Sequence, residues 1–113
     1  MHYKDHGNGI VEIIASGTII HEASDILSLF FESQAQTFII KKEHLNPAFF
    51  TLSSGLAGEL LQKFSNYQKR VGIVGDCSAI TSKSLRDFIY ESNKHKQVVF
   101  VASVEEAVEI FNS

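Results

Sequence analysis

The sequence predicts an α/β fold in which an N-terminal β-hairpin is followed by β-α repeats. Short runs rich in Ile and Val alternate with segments whose apolar residues recur at helical spacing. The turn sequence Gly7-Asn8-Gly9 predicts that the first two strands pair as a hairpin. The strict alternation that follows favours parallel strands joined by right-handed crossovers. We therefore expect a mainly parallel five-stranded sheet with four helices.

The N-terminal part predicts the hairpin, the first helix and the third strand. Residues 3–6 and 9–15 are the expected hairpin strands. A helix follows, for which His21 or Ser24 is the expected cap. Its apolar stripe consists of Ile26, Leu27, Phe30 and Phe31. Residues 37–41 are the third strand.

The C-terminal part predicts two further strands and the helices around them. Residues 42–52 form a loop that is long for a small protein. The helix after this loop has Ser53 or Ser54 as its expected N-cap. Residues 71–75 and 97–102 are the fourth and fifth strands, since both are short and apolar.

The last two helices are predicted from their caps. Thr81 or Ser82 is expected to begin the third helix, and Ser103 with Glu106 forms a capping box at the start of the fourth. Gly72 lies within the fourth strand, where the lack of a side chain would permit close packing of a neighbouring element.

Length, charge and cysteine content exclude several classes of protein. The 113 residues predict one domain over residues 1–113. A net charge of −3 provides no general attraction to nucleic acid or to an anionic membrane surface. No apolar run approaches the roughly 18 residues of a transmembrane helix, and a single Cys excludes an intrachain disulfide. We expect a cytoplasmic protein with no nucleic-acid or membrane partner.

The sequence contains no pattern typical of a catalytic, nucleotide or metal site. Phosphate-loop and dinucleotide-binding glycine patterns are absent, as is the nucleophile elbow of hydrolases. The five histidines lack the spacing of metal ligands, so we expect them in solvated loops. No metal or cofactor is expected, and binding is favoured over catalysis.

Two helix starts are candidate binding sites, because free N–H groups at a helix N-terminus can hold a phosphate or carboxylate. The first start contains Ser53 and Ser54. The second lies beyond the carboxyl end of the fourth strand, where parallel sheets place ligands. Its candidate anion-binding residues are Asp76, Ser82, Lys83 and Arg86. Plain helix capping is the alternative interpretation of both starts.

Three segments carry a resemblance to a known family. Residues 49–64 read FFTLSSGLAGELLQKF, residues 73–76 read IVGD, and residues 82–93 read SKSLRDFIYESN. Together they resemble a family of small bacterial proteins known as domain of unknown function 4180. The resemblance covers nearly the whole chain and implies a bacterial cytosolic protein, but it brings no established activity.

The order of elements is also similar to that of STAS domains, the fold of bacterial anti-sigma-factor antagonists. In that family a D-S-S-G-L segment begins the helix after the third strand, and phosphorylation of one serine by a partner kinase switches protein binding. Residues 52–56 read LSSGL here, with Leu52 in place of the acidic residue. This resemblance implies a regulatory module that binds a protein partner, with Ser53 or Ser54 as a phospho-switch or partner surface.

Two functional hypotheses therefore remain open at the level of the sequence. One is a STAS-like regulatory and protein-interaction module. The other is a small-molecule or anion-binding protein that uses the helix starts at Ser53 and Ser82, with residues 43–51 as a wall. We expect Phe49 and Phe50 to cover the core, and their exposure would instead indicate a homodimer or partner interface.

Overall fold

A sheet of five strands lies at the centre of the fold. The computed structural model describes residues 1–76 and 82–113. Within them the strands follow one another across the sheet in chain order: β1 (His2–Asp5), β2 (Ile10–Ile14), β3 (Thr37–Lys41), β4 (Arg70–Val74) and β5 (Val98–Val101). β1 pairs with β2 antiparallel, and all other pairs are parallel. The predicted α/β fold is confirmed.

The four predicted helices are also found. They are α1 (Ile26–Glu32), α2 (Leu56–Asn66), α3 (Lys83–His95) and α4 (Val104–Asn112). Strands in sequential order, joined by crossovers of one hand, place successive helices on the same face of the sheet. Accordingly α1, α2 and α3 pack on one face and α4 on the other. Within the described residues, no helix has the length and apolar character needed to cross a membrane.

The larger core lies under α1, α2 and α3. Alternate residues of each strand face it, so that Phe38 of β3 is buried there while its neighbour Ile39 faces α4. The rings of Phe30 and Phe64 meet edge to face, with their centroids 5.1 Å apart. These aromatic contacts join α1 and α2 to the centre of the sheet.

Gly72 allows α4 to pack closely against the opposite face. A Cβ at this position would lie 3.1 Å from Phe111 and 3.2 Å from Ala107, both of them on α4. This confirms the packing role expected for Gly72. α4 covers β4 and β5, and therefore leaves part of the sheet surface near β1 and β2 uncovered.

The start of the first helix differs from the prediction. Neither His21 nor Ser24 caps it. The carboxylate of Asp25 accepts hydrogen bonds from the backbone N–H groups of His21 and Glu22, at 2.8 and 3.1 Å. Residues Ala23–Asp25 form a 3-10 turn that continues into α1. The capping carboxylate belongs to a residue that follows the backbone groups it binds. The usual N-cap position therefore carries no signal, and the sequence prediction missed this cap.

Two side chains lie where the sequence did not place them. Phe31, expected in the apolar stripe of α1, is 72% exposed because the helix is short and only one of its faces meets the sheet. His44, expected in solvent, is buried, with its Nδ1 2.8 Å from the carbonyl oxygen of Gly17. Phe49 is fully buried and Phe50 partly so, which is the placement expected of a pair that covers the core.

The edge strand β5 is protected by a side chain of α3. The amide oxygen of Asn93 accepts from the Phe100 N–H at 2.7 Å, and its amide nitrogen donates to the Phe100 carbonyl at 3.3 Å. The side chain thus occupies the place of a sixth strand at this residue. Such protection of a sheet edge limits pairing with other chains.

Replacing Asn93 with Ala should therefore destabilise the protein. The substitution leaves the N–H and C=O of Phe100, a mostly buried residue, without partners, at a cost of about 1–3 kcal/mol in the free energy of unfolding. Urea denaturation measures this change. Asn66→Ala is the matched control, because Asn66 is also in the last turn of a helix but its side chain only accepts a solvent-exposed hydrogen bond from Gln62. Equal effects of the two substitutions would contradict the edge-protecting role.

Candidate ligand-binding site

An open cavity of about 760 Å³ lies at the carboxyl ends of β3 and β4. It is lined by Thr18, Lys41, Lys42, Glu43, Leu45, Pro47, Phe50, Val74, Gly75 and Asp76. Its volume is within the range of small-molecule sites, about 300–1,000 Å³. The carboxyl end of parallel strands is also where open α/β sheets place ligands.

One wall of the cavity is the segment after β3, which the sequence predicted as an irregular loop. It folds instead into three short 3-10 helices, Lys42–His44, Pro47–Phe50 and Leu52–Ser54. The side chain of Asn46 accepts from the Ala48 N–H at 2.9 Å and so begins the second of these. A local hydrogen bond of this kind satisfies backbone groups that a coil would leave to water.

Two contacts hold this wall against the rest of the protein. Leu45 forms an isolated parallel bridge with Ile20. The buried ring of His44 donates from Nδ1 to the carbonyl oxygen of Gly17, because a carbonyl can only accept. Both contacts tie the wall to the segment between β2 and α1, so its apolar side chains are held in place before any ligand arrives.

Lys42 lies across the floor of the cavity. Its ammonium group donates to the backbone carbonyl of Asp76 at 3.1 Å and lies 5.1 Å from the centroid of the Phe50 ring. The first part of the side chain passes over Gly75, where a Cβ would lie only 2.6 Å from Lys42 Cβ. Gly75 therefore leaves room for the Lys42 side chain, which holds its ammonium group beside the apolar walls of the cavity.

The structure brings together only part of the anion set predicted from the sequence. Asp76 is exposed and lines the cavity. Ser82 caps α3 by accepting from the Leu85 N–H at 3.3 Å. Lys83 pairs with Asp87 on the surface of α3, at 3.1 Å. Ser82, Lys83 and Arg86 are not among the residues that line the cavity. Cys77 and Thr81 lie outside the described residues.

The serines before α2 have different environments. Ser54 donates from its hydroxyl to the Ala48 carbonyl at 2.6 Å and accepts from the Leu56 N–H at 3.2 Å. Ser53 is exposed in the preceding turn. The N-cap position of α2 belongs to Gly55, whose φ of 79° lies in the left-handed region that glycine adopts most readily. The predicted serine cap is wrong for this reason.

Sequence reasoning missed Lys42, the best-placed polar group of the cavity. The available signal is Gly75, immediately after β4, whose missing side chain leaves room for a neighbour. The side chain that fills this room comes from the 3-10 helix after β3, so local sequence does not identify it. Among the described residues, no group of three or more His, Cys, Asp or Glu side chains could hold a metal ion.

Comparison with known proteins gives one family. The model of "Domain of unknown function (DUF4180)" matches residues 5–111. The chain belongs to this family. The match spans both the cavity and the segments that carry the sequence resemblance, so the DUF4180 assignment covers every element from β2 to β5 in full. Neither the curated proteins nor the solved structures give a significant match to the chain.

Placing a methyl group at position 75 of this DUF4180 protein should destabilise it. In Gly75→Ala the new Cβ would meet the rigid first part of the Lys42 side chain. Relief of this overlap should cost about 1–3 kcal/mol. Guanidinium denaturation measures the loss. Gly58→Ala is the control, since nothing lies within 4 Å of that Cβ and Ala is the better helix former by about 0.5–1 kcal/mol. A Gly75→Ala protein as stable as wild type would contradict this account of Gly75.

Proposed function

We propose that this protein binds a small organic acid with an apolar body in the cavity at the carboxyl ends of β3 and β4. The observation that carries the proposal is the ammonium group of Lys42, which is fixed at the floor of a cavity with apolar walls. Binding sites of this kind combine a mainly apolar surface with a few well-placed polar groups.

The walls and the charge would have separate roles. Burial of an apolar body against Leu45, Pro47 and Phe50 would contribute about 25 cal/mol per Å² of area removed from water. Lys42 uses one hydrogen-bond donor on the Asp76 carbonyl, and an ammonium has three. The remaining donors can meet a carboxylate or phosphate. Glu43 and Asp76 also line the cavity, and both are exposed to solvent, which weakens their repulsion of an acid because salt and water screen it.

Phenylacetate should therefore raise the melting temperature more than phenylacetamide, its uncharged analogue. The increase should grow with the logarithm of concentration, as expected for a ligand of the folded state. Isothermal titration should show at least tenfold weaker binding to Lys42→Met, which corresponds to about 1.4 kcal/mol. Lys63→Met, which changes a lysine of α2 away from the cavity, is the control. No binding by phenylacetate or by other apolar acids would contradict the proposal.

A second candidate is the regulatory protein-interaction module implied by the resemblance to STAS domains. The exposure of Ser53, together with the partly exposed side chain of Leu52 beside it, favours a docking surface before α2. A phosphate adds about −1.5 to −2 charges. At Ser53 this charge would oppose a partner that docks apolar surface on Leu52.

Ser53→Asp and Ser54→Asp test this candidate. Affinity capture from the native cytoplasm should recover a protein partner with wild type, and less of it with Ser53→Asp because the added charge opposes docking. Ser54→Asp also removes the bond to Ala48 and should disturb the turn itself. Ser65→Asp, at an exposed position of α2, is the control. Unchanged recovery of the partner with both serine variants would contradict the phospho-switch hypothesis. Mass spectrometry of the native protein shows whether either serine is phosphorylated.

A further inference from the structure

A second cavity lies on the opposite face of the sheet, beside α4. It has a volume of about 520 Å³ and is bounded by β1, β2, the end of β3 and one side of α4. α4 packs mainly over β4 and β5, and the cavity lies where β1, β2 and β3 extend beyond it on this face. We call it the α4 groove.

The floor of the α4 groove contains a buried carboxylate. Glu12 of β2 is 7% exposed, and its Oε1 accepts from Nε2 of His6 at 2.9 Å. The ammonium group of Lys41 lies 3.8 Å from the other oxygen, Oε2. A buried ion pair often stabilises a fold less than apolar side chains of the same volume would. The nearby residues Ile10 and Ile39 show that this face elsewhere uses apolar side chains.

Glu12 attracts Lys41 without occupying its hydrogen-bond donors. A separation of 3.8 Å permits charge attraction but is too long for a hydrogen bond. Lys4 lies directly across from Glu12 in the β1–β2 register and also lines the groove. The floor therefore carries two ammonium groups and one carboxylate, and its cationic N–H donors are available to a ligand.

The wall of the groove carries the opposite charge. Glu105 and Glu109 are one turn apart on α4, and both line the groove. Neither makes an ion pair with any residue of the described chain. Like charges at this spacing destabilise a helix by about 0.2–0.5 kcal/mol. Lys4 and Lys41 face the same cavity but form no ion pair with them.

We propose that the α4 groove binds a small zwitterion, such as a free amino acid with an aliphatic side chain. Its carboxylate would bind Lys4 and Lys41, its ammonium group would bind Glu105 or Glu109, and its apolar part would lie on Val104 and Val108. A simple anion would meet the lysines but leave Glu105 and Glu109 without a cation, and a simple amine would meet the glutamates but leave Lys4 without an anion. Only a ligand with both charges satisfies the floor and the wall together.

The test compares L-leucine with two analogues that each lack one charge, 4-methylpentanoate and 3-methylbutylamine. Two-dimensional amide NMR of the full chain should show saturable shifts in β1, β2 and α4 with millimolar leucine. Each analogue should bind at least tenfold more weakly, a difference of about 1.4 kcal/mol. Equal binding of either analogue, or no shift in these elements with leucine, would overturn the proposal.

Substitutions then test the contributions of the floor lysines and of the wall glutamates to binding separately. Lys41→Met and Glu109→Gln should each weaken leucine binding at least tenfold, because each removes one charge that the ligand meets. Lys63→Met and Glu59→Gln are matched controls on α2, away from the groove, and should leave the affinity unchanged. Retained affinity in both groove variants would overturn the assignment of the charges. The spectra of the variants report folding independently of binding.

Discussion

The order of the strands determines where the two proposed binding cavities lie. Strands that follow one another across the sheet, joined by crossovers of one hand, place three helices on one face. Only α4 is then left for the other face, and it covers β4 and β5. The two proposed sites lie beside these elements: one at the carboxyl edge after β3 and β4, and the other in the α4 groove beside β1 and β2.

Glycines on β4 and immediately after it control the approach of neighbouring elements. Gly72 lets α4 pack closely on the sheet face, and Gly75 leaves room for the side chain of Lys42 at the carboxyl edge. Both act by the absence of a Cβ rather than by an unusual backbone conformation. A single strand thus determines how closely the last helix packs and where the cation of the first cavity lies.

The charged groups of the two cavities meet at β3. Lys41 is the last residue of β3, and Lys42 is the first residue of the 3-10 helix that follows it. Lys42 reaches Asp76 and Phe50 at the carboxyl edge, whereas Lys41 reaches Glu12 on the face covered by α4. These two consecutive lysines contribute to both proposed sites, since Lys41 lines both cavities and Lys42 lines the first.

The sequence by itself determined the fold class, the element order and the DUF4180 resemblance, because period-two and helical spacings are local properties. It also located Ser82 as a cap, since its hydrogen bond to Leu85 spans three residues. It did not find Lys42 above Gly75, the buried pair of His6 and Glu12, or Asn93 at the edge of β5. Those arrangements were decided only by the tertiary structure, because each depends on elements or turns whose relative placement is set by packing of the whole sheet.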